Sequence, residues 1–295
     1  MKSSIKKAVL PVAGLGTRGL PFTKEVPKEY LPIIDTPTIH YIVEEVLAAG
    51  MDQIVLVTGK GKSVLEDYFD PSPALEAMLE KRGKIELLER VRKIGQMCEV
   101  ITVRQKAPLG LGHAVLCARE AVGNDRFAVC LGDEIFPPWD TINKNQGPLQ
   151  KLVAAATSGE TSAVGIVEIP IEDSRNYGIL DLGGESLGQG PSPVKRTIEK
   201  PAPKDAPSHY AIIGRYVFQP EIFDILKDVK AGVGGEIQLT DAMDKLCEKG
   251  RLSAVLLNGC RYDIGNHFYY VKAQIDEAMR RPELKDRLKE YLKTL

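Results

Sequence analysis

The sequence predicts an α/β protein built on a mainly parallel sheet covered by helices. Strand-like and helix-like segments alternate through the first half of the chain. The runs Gln53 to Thr58 and Phe127 to Leu131 are apolar nearly throughout, as strands buried on both faces are. Short polar or glycine-bearing motifs follow several of these runs, at the strand ends where open parallel sheets bind ligands.

Taken in order, the first strand is the apolar run Ala8 to Val12. Thr38 to Ala49 carries a helical stripe of Ile39, Ile42, Val43, Val46 and Leu47, with Gly50 as its stop. After the strand Gln53 to Thr58, the segment Pro73 to Lys93 reads as one long charged helix with Leu75, Met78, Leu79 and Leu88 as its apolar stripe. Glu99 to Arg104 is a strand, Gly112 to Val122 a helix and Phe127 to Leu131 a strand. The second half opens with a helix from Asn145 to Ser158 and continues with strands at Ser162 to Glu168, Gly178 to Asp181, Val194 to Ile198 and Tyr210 to Phe218. Gly183 and Gly184 give it a hairpin-like turn, because glycine takes the positive φ that tight turns need, and this half reads as more antiparallel. Helices return at Pro220 to Lys227 and Leu239 to Lys249, with a strand at Leu252 to Asn258. Asn266 to about Leu292 is helical, and Pro282 breaks it by starting a second helix.

A chain of 295 residues, 43% hydrophobic, buries a full core as one large domain or two intimate ones. Its 39 basic and 40 acidic side chains nearly cancel, which disfavours nucleic acid or membrane as partner and requires any anion site to be built from a few placed cations. Five scattered cysteines without a C-x-x-C pair read as reduced, mostly core thiols. Lys2, Lys6 and Lys7 precede an apolar run that is short, contains Pro11 and lacks a small-residue cleavage site, so a strand is expected there rather than a secretory leader. With no stretch of membrane-spanning length, the expected compartment is the cytoplasm.

Most of the functional information lies in residues 11–32, PVAGLGTRGLPFTKEVPKEYLP. Gly14, Gly16 and Gly19 satisfy G-x-G-x-x-G, which taken by itself suggests a nicotinamide-dependent oxidoreductase. That fingerprint works only when a helix opens on the glycines, and Pro21, Pro27, Pro32 and Pro37 forbid a regular helix there. What remains is a long extended loop carrying Arg18, Lys24 and Lys28 beside exposed amides, which suits a polyphosphate.

Further polar groups follow the strands. Gln105, with Gly110 and Gly112 before a helix, offers the donors and acceptor that read a base edge, although a polar loop and a helix start would look the same. Asp133 in LGDEIF and Asp263 in RYDIGN each leave an apolar strand, as turn formers do and as ligands of one shared magnesium ion also do. Glu199 and Lys200 in EKP are a solvated pair in one reading; in the other they supply an acceptor for sugar hydroxyls and a cation. The segments NYG at Asn176 to Gly178, IGRY at Ile213 to Tyr216 and GGEIQLTD at Gly234 to Asp241 are each weak alone. The four histidines, His40, His113, His209 and His267, form no metal motif, and no G-x-S-x-G nucleophile signature is present.

In sequence, PVAGLGTR, PKEYLPI, IVLVTG, LEAMLEKR, VRQ, GLGHAVLCA, YGI, EKP, AIIGRYV, GEIQLTDA and DIGN resemble the sugar-nucleotidyltransferase family over almost the whole chain. G-x-G-T-R followed by Lys28 marks the superfamily, while GLGHAVLCA and GEIQLTDA narrow the likeness to the bacterial UTP:glucose-1-phosphate uridylyltransferase branch. The resemblance implies a Rossmann-like three-layer α/β/α sandwich with a mainly parallel mixed sheet and inserted antiparallel strands. It also implies a single nucleotidyltransferase domain, with a nucleotide-binding half over 1–135, a sugar-phosphate-binding half over 136–265 and a C-terminal helical segment over 266–295. The apolar Tyr269, Ile275, Met279 and Leu288 of that segment serve assembly as a homodimer or homotetramer in one reading and helical packing within one chain in the other. The implied substrates are UTP and glucose 1-phosphate, with Mg2+ as cofactor.

Carried over residue by residue, Ala13, Gly14, Gly16, Thr17, Gln105 and Gly110 match the nucleotide pocket, and Arg18 and Lys28 the clamp on its phosphates. Gly178, Glu199 and Lys200 match the sugar-phosphate side, Lys200 also the catalytic cations, and Asp133 and Asp263 the magnesium ligands. The chain departs from the branch at Leu109 and His267, where a lysine is common, and at Gly132, often a proline. These departures leave open a relative using dTTP or another sugar 1-phosphate, and a non-catalytic sugar-nucleotide binder.

Overall fold

The computed structural model describes residues 5–136, 147–184, 187–188, 190–257 and 259–295. The first half runs β1 (Lys7–Pro11), β2 (Pro32–Ile33), β3 (Thr36–Pro37), α1 (Thr38–Ala48), β4 (Gln53–Thr58), α2 (Ser63–Asp67), α3 (Pro73–Lys81), α4 (Ile85–Ile94), β5 (Glu99–Arg104), α5 (Leu111–Cys117), α6 (Arg119–Val122), β6 (Phe127–Cys130) and β7 (Glu134–Ile135). The second runs α7 (Pro148–Gly159), β8 (Ser162–Glu168), β9 (Gly178–Asp181), β10 (Ser192–Pro193), β11 (Arg196–Glu199), β12 (Tyr210–Phe218), α8 (Glu221–Asp228), α9 (Leu239–Glu248), β13 (Leu252–Leu256), β14 (Tyr262–Asp263), α10 (His267–Arg280) and α11 (Pro282–Leu292).

One sheet holds ten of the strands in the order β10-β13-β8-β12-β6-β1-β4-β5, with β9 bonded to β11 and β12. β1 pairs in parallel with β4 and β6, β4 with β5, and β13 with β8. β12 runs antiparallel between β6 and β8, so it stitches the two halves into one sheet. Alternate residues of β1 and β4 feed two cores. Ala8, Leu10, Ile54 and Leu56 pack with α1 and α7, whereas Val9, Val55 and Val57 pack with α5, α8 and α9. The result is the three-layer α/β/α sandwich with antiparallel insertions.

Several elements differ from the sequence expectation. The segment 73–93 is two helices, because Gly83 takes φ +63° and reverses the chain so that Arg92 Nε reaches Glu76 at 3.1 Å. The helix expected over 112–122 is divided at Ala118. The strand expected over 194–198 shifts to Arg196–Glu199, since Val194 donates to Leu252 O on β13 before the chain changes partner to β9. The opening loop contains three single 3-10 turns, and α2, β2, β3, β7 and β14 were not anticipated. Asn145 and Asn258, the ends of two expected elements, lie outside the described residues, as does Lys2. Pro282 does begin the second terminal helix.

The cysteines are free thiols. Cys130 and Cys247 are buried, and burial pushes both up to about 12. Among the described residues no helix is long and apolar enough to cross a membrane.

The largest fully buried side chain is Arg215 on β12. Its Nη2 and Nε bind Glu45 Oε2 of α1 at 2.7 and 3.1 Å, Nη1 donates to Gly214 O at 2.9 Å, and Nη2 donates to Glu134 O at 2.8 Å. Removing one partner of such a pair strands the other charge, at a cost of about 3–5 kcal/mol. Arg215→Met is therefore expected to lose stability of that order in urea denaturation, and the double variant Arg215→Met/Glu45→Leu to recover a large part of it. Equal stability of the single variant and the parent would contradict this account.

Candidate active site

No helix opens on Gly14, Gly16 and Gly19. After β1 the chain turns through Thr17–Gly19, Phe22–Lys24 and Lys28–Tyr30, each a single 3-10 turn. Gly16 has φ +65°, its carbonyl accepts from Thr23 Oγ1 at 2.7 Å, and a Cβ on Gly19 would stand 2.6 Å from Thr23 Cγ2. Gly16 and Gly19 thus serve a folded loop packed on Thr23, and that loop presents Arg18 and Lys28. Lys24 lies elsewhere, in an exposed pair with Glu25 at 3.7 Å.

Asp133 and Asp263 meet through a two-residue ladder. β7 pairs with β14 so that Glu134 faces Asp263, and Ile264 N donates to Asp133 O at 2.7 Å. Arg18 spans the two carboxylates, with Nη1 3.1 Å from Asp263 Oδ2 and Nη2 3.2 Å from Asp133 Oδ2. Lys28 Nζ is 2.5 Å from Asp133 Oδ2. Gly265 makes room for this arrangement, since a Cβ there would lie 2.8 Å from Arg18 Nη2. Burial pushes the Asp133 carboxyl upward, but Lys28 and Arg18 outweigh it and hold the group below its ordinary value. For Lys28, burial acts downward, and Asp133 with Glu29 more than reverses it.

Two cavities adjoin this cluster. One, of about 450 Å³, is lined by Ala13, Gly14, Gly16 and Thr17 of the loop, and by Lys28, Gln105, Gly110 and Asp133. Gln105 is buried, and its Nε2 donates to Gly110 O at 3.1 Å with His113 Nδ1 3.0 Å away. The absence of a side chain at Gly110 and Gly112 has a cause the sequence did not reveal. A Cβ on either would stand 2.8 Å from Ile237 O, so the chain's own 236–237 backbone fills the space. Behind Lys28, Lys62 Nζ pairs with the fully buried Glu29 Oε2 at 3.1 Å. A Cβ at position 132 would lie 2.4 Å from Glu29 Cγ, so Gly132 belongs to the same packing.

The second cavity, of about 670 Å³, is lined by Arg18, Asp133 and Asp263 together with Gly178, Glu199 and Lys200. Glu199 Oε1 is 3.2 Å from Lys200 Nζ, and the Thr240 hydroxyl donates to Glu199 Oε2. Lys200 takes φ +45°, which costs a non-glycine residue about 1–2 kcal/mol, and its amide is tied to Tyr177 O at 3.0 Å. Asn176, Tyr216 and Gln238 bring the three weak sequence segments into this wall.

Glu134, Tyr177 and Arg261 lie inside segments the sequence singled out, LGDEIF, NYG and RYDIGN, but were not themselves picked as site residues. Arg261 donates to Tyr177 Oη at 3.0 Å and lies 3.4 Å from Glu134 Oε2. Within those motifs the neighbouring aspartates and glycine carried the signal, and no spacing sets these three apart. Of the departing positions, His267 opens α10 and lines a third cavity with Arg18 and Lys28, while exposed Leu109 contributes its carbonyl to Ile237 N.

Residues 7–279 match the family model described as Nucleotidyl transferase. The chain is 46% identical over 292 residues to the UTP–glucose-1-phosphate uridylyltransferase of Bacillus subtilis (strain 168), covering 99% of this chain and 97% of that one. Among solved structures it resembles a UTP-bound UGPase from Acinetobacter baumannii, with TM-score 0.89, 37% identity and 99% coverage of each chain. It also resembles a UDP-glucose pyrophosphorylase complexed with UDP-glucose, with TM-score 0.84, 40% identity and coverage of 94% of this chain and 100% of that one. A loop that presents two cations to a carboxylate pair between two cavities is thus set in a fold and sequence shared across these proteins, and the chain belongs to the nucleotidyl transferase family, in its UTP–glucose-1-phosphate uridylyltransferase branch.

Proposed function

We propose that the chain transfers the uridylyl group of UTP to glucose 1-phosphate, giving UDP-glucose and pyrophosphate, with magnesium as its cofactor and the cytoplasm as its compartment. The observation that carries this reading is the seam between the two cavities. Both are lined by Asp133, with Lys28 on one side and Arg18 with Asp263 on the other. Two substrates seated in adjoining cavities meet where the cations stand.

In this reading a phosphate oxygen of glucose 1-phosphate attacks the α-phosphorus of UTP in line. One P–O bond forms, the bond to the β-phosphate oxygen breaks, and pyrophosphate leaves with that electron pair. The nucleophile is already anionic, so no side chain has to remove a proton, and catalysis reduces to alignment and charge neutralisation. Arg18 and Lys28 neutralise the nucleotide phosphates, and Gln105 with the Ala13 to Thr17 backbone seats the nucleoside. Lys200 meets the sugar phosphate, while Glu199 accepts from sugar hydroxyls beside Gly178.

Asp133 and Asp263 fit a magnesium ion, because both are oxygen donors within reach of one guanidinium. Among the described residues no larger His, Cys, Asp or Glu cluster competes for a metal. This suits a hard cation held by one or two carboxylates plus substrate phosphates. When bound, magnesium supplies charge neutralisation on the phosphate oxygens. The two halves, 1–135 and 136–265, share the work, since Arg18 reaches the sugar-side cavity and Glu236 the nucleotide-side one. The exposed Phe268, Val271, Tyr291 and Leu292 of the 266–295 segment support self-association as a dimer or tetramer.

Pyrophosphate release from UTP, glucose 1-phosphate and magnesium tests the reading, run beside dTTP and other sugar 1-phosphates; a preference for one of those overturns it. Asp133→Ala is expected to lower kcat by about 10²-fold or more. Full activity of that variant at limiting magnesium would remove Asp133 from the metal site. Lys200→Ala is expected to raise KM for glucose 1-phosphate about tenfold and leave that for UTP nearly unchanged. An unaltered response to the sugar phosphate would place Lys200 outside its site.

The depressed Asp133 adds a pH dependence. Its stabilisation is present above the ordinary carboxylate value of 3.8 and fades as pH falls through the lower folded value. The gap in Tm between the parent and Asp133→Asn is therefore expected to be widest above the ordinary carboxylate value and to narrow as pH falls below it. A gap that widens on acidification would contradict the pairing.

A further inference from the structure

We propose that His113 is the positioning residue for nucleobase choice, holding the Gln105 carboxamide in the one orientation that presents an acceptor to the pocket. This deepens the uridylyl-transfer reading and rests on it.

The Gly110 carbonyl can only accept. The Gln105 atom 3.1 Å from it is Nε2, so the amide nitrogen faces Gly110 and the carboxamide oxygen faces away. Nε2 carries a second hydrogen, and His113 Nδ1 stands 3.0 Å from it. That contact bonds only when Nδ1 keeps its lone pair, which puts the ring proton on Nε2. The Cys117 sulfur, 3.9 Å from both ring nitrogens, is the nearest polar neighbour along the helix. Both amide hydrogens are then spent within the protein.

Gln105 Oε1 accepts no bond from any described residue, and Gln105 lines the nucleotide-side cavity. The pocket therefore offers an acceptor to the base. Uracil carries a donor at N3 and pairs with it. Cytosine carries a lone pair at N3 and meets oxygen with nitrogen, two acceptors facing each other. If His113 could not accept, the Gly110 carbonyl alone would oppose rotation about the last bond of the side chain, and one of the two bonds that hold the amide in this orientation would be gone.

The geometry explains why a histidine stands at this place on α5. His113 is one turn before Cys117 and three residues after Gly110, so its Nδ1 and the Gly110 carbonyl meet the same Gln105 amide nitrogen. The loop from Gln105 to Gly110 closes on the helix through this contact.

The test compares kcat/KM for UTP and CTP, each with glucose 1-phosphate, in the parent, His113→Leu and His113→Asn. Leucine removes the acceptor and keeps the bulk, and asparagine Oδ1 restores an acceptor near the position of Nδ1. The UTP-to-CTP ratio is expected to fall at least tenfold in His113→Leu, as one mispaired polar group commonly costs, and to return to within about threefold of the parent in His113→Asn. An unchanged ratio in His113→Leu, or an equal loss on both triphosphates, overturns the proposal.

Nitrogen-15 NMR of the parent gives a second reading that needs no variant. His113 is expected as the Nε2-protonated tautomer at neutral pH, and an Nδ1-protonated ring overturns the proposal even if the variants fail to fold. A parent protein that turns over neither triphosphate would instead refute the uridylyl-transfer reading. The two failures are thereby distinct.

Discussion

The guanidinium of Arg215 is the point on which the site is hung. From the middle of β12 it reaches Glu45 of α1, its own strand at Gly214, and the carbonyl of Glu134 one residue beyond Asp133. A charge with no exposure to water must have every donor placed, or it costs more than it returns. Satisfying it fixes the distance between helix layer, central strands and the turn that carries Asp133. The carboxylate is held where Lys28 and Arg18 reach it because the backbone next to it cannot move without unpairing a buried cation.

From that anchor the electrostatics follow a gradient of exposure. Glu45 and Arg215 are buried and structural, and Glu29 and Lys62 are buried behind the nucleotide-side cavity. Arg18 is well exposed, and Lys28 partly so, while the carboxylates they share are mostly covered. The more exposed partners are the cations. The fixed partners are the acids, set in backbone that the β7–β14 ladder and the Arg215 cluster hold on both sides.

How much of this could be read from the chain depended on whether a feature has a period. Strands such as Gln53–Thr58, Glu99–Arg104, Ser162–Glu168 and Tyr210–Phe218 stand where their apolar runs place them, and the prolines after Gly14 excluded a helix correctly. Gly83 was overlooked because a single glycine inside a charged stripe reads as a tolerated interruption until its positive φ is known. Two-residue strands such as β7 and β14 carry no period at all, so the sequence joined Asp133 to Asp263 only as ligands of one shared metal and not through the ladder that brings them together. Gly110 and Gly112 also have a neighbour that no motif reveals, because a Cβ on either would meet the Ile237 backbone. The residues picked from the strand ends fall into two adjoining cavities, but the orientation of Gln105 needed the position of His113, which no spacing rule supplies.

The ladder that joins Glu134–Ile135 to Tyr262–Asp263 also sets an order of events during synthesis. Chains emerge from the ribosome N-terminus first, and their early segments collapse before the late ones exist. The loop with Arg18 and Lys28, and the turn with Asp133, are made while the strand that brings Asp263 is still unmade. Until then Asp133 has its cations but not its companion acid. A nascent or truncated chain that stops short of residue 262 can hold the ten-stranded sheet and most of both core layers while lacking Asp263, so the carboxylate pair is completed after the sheet that carries it.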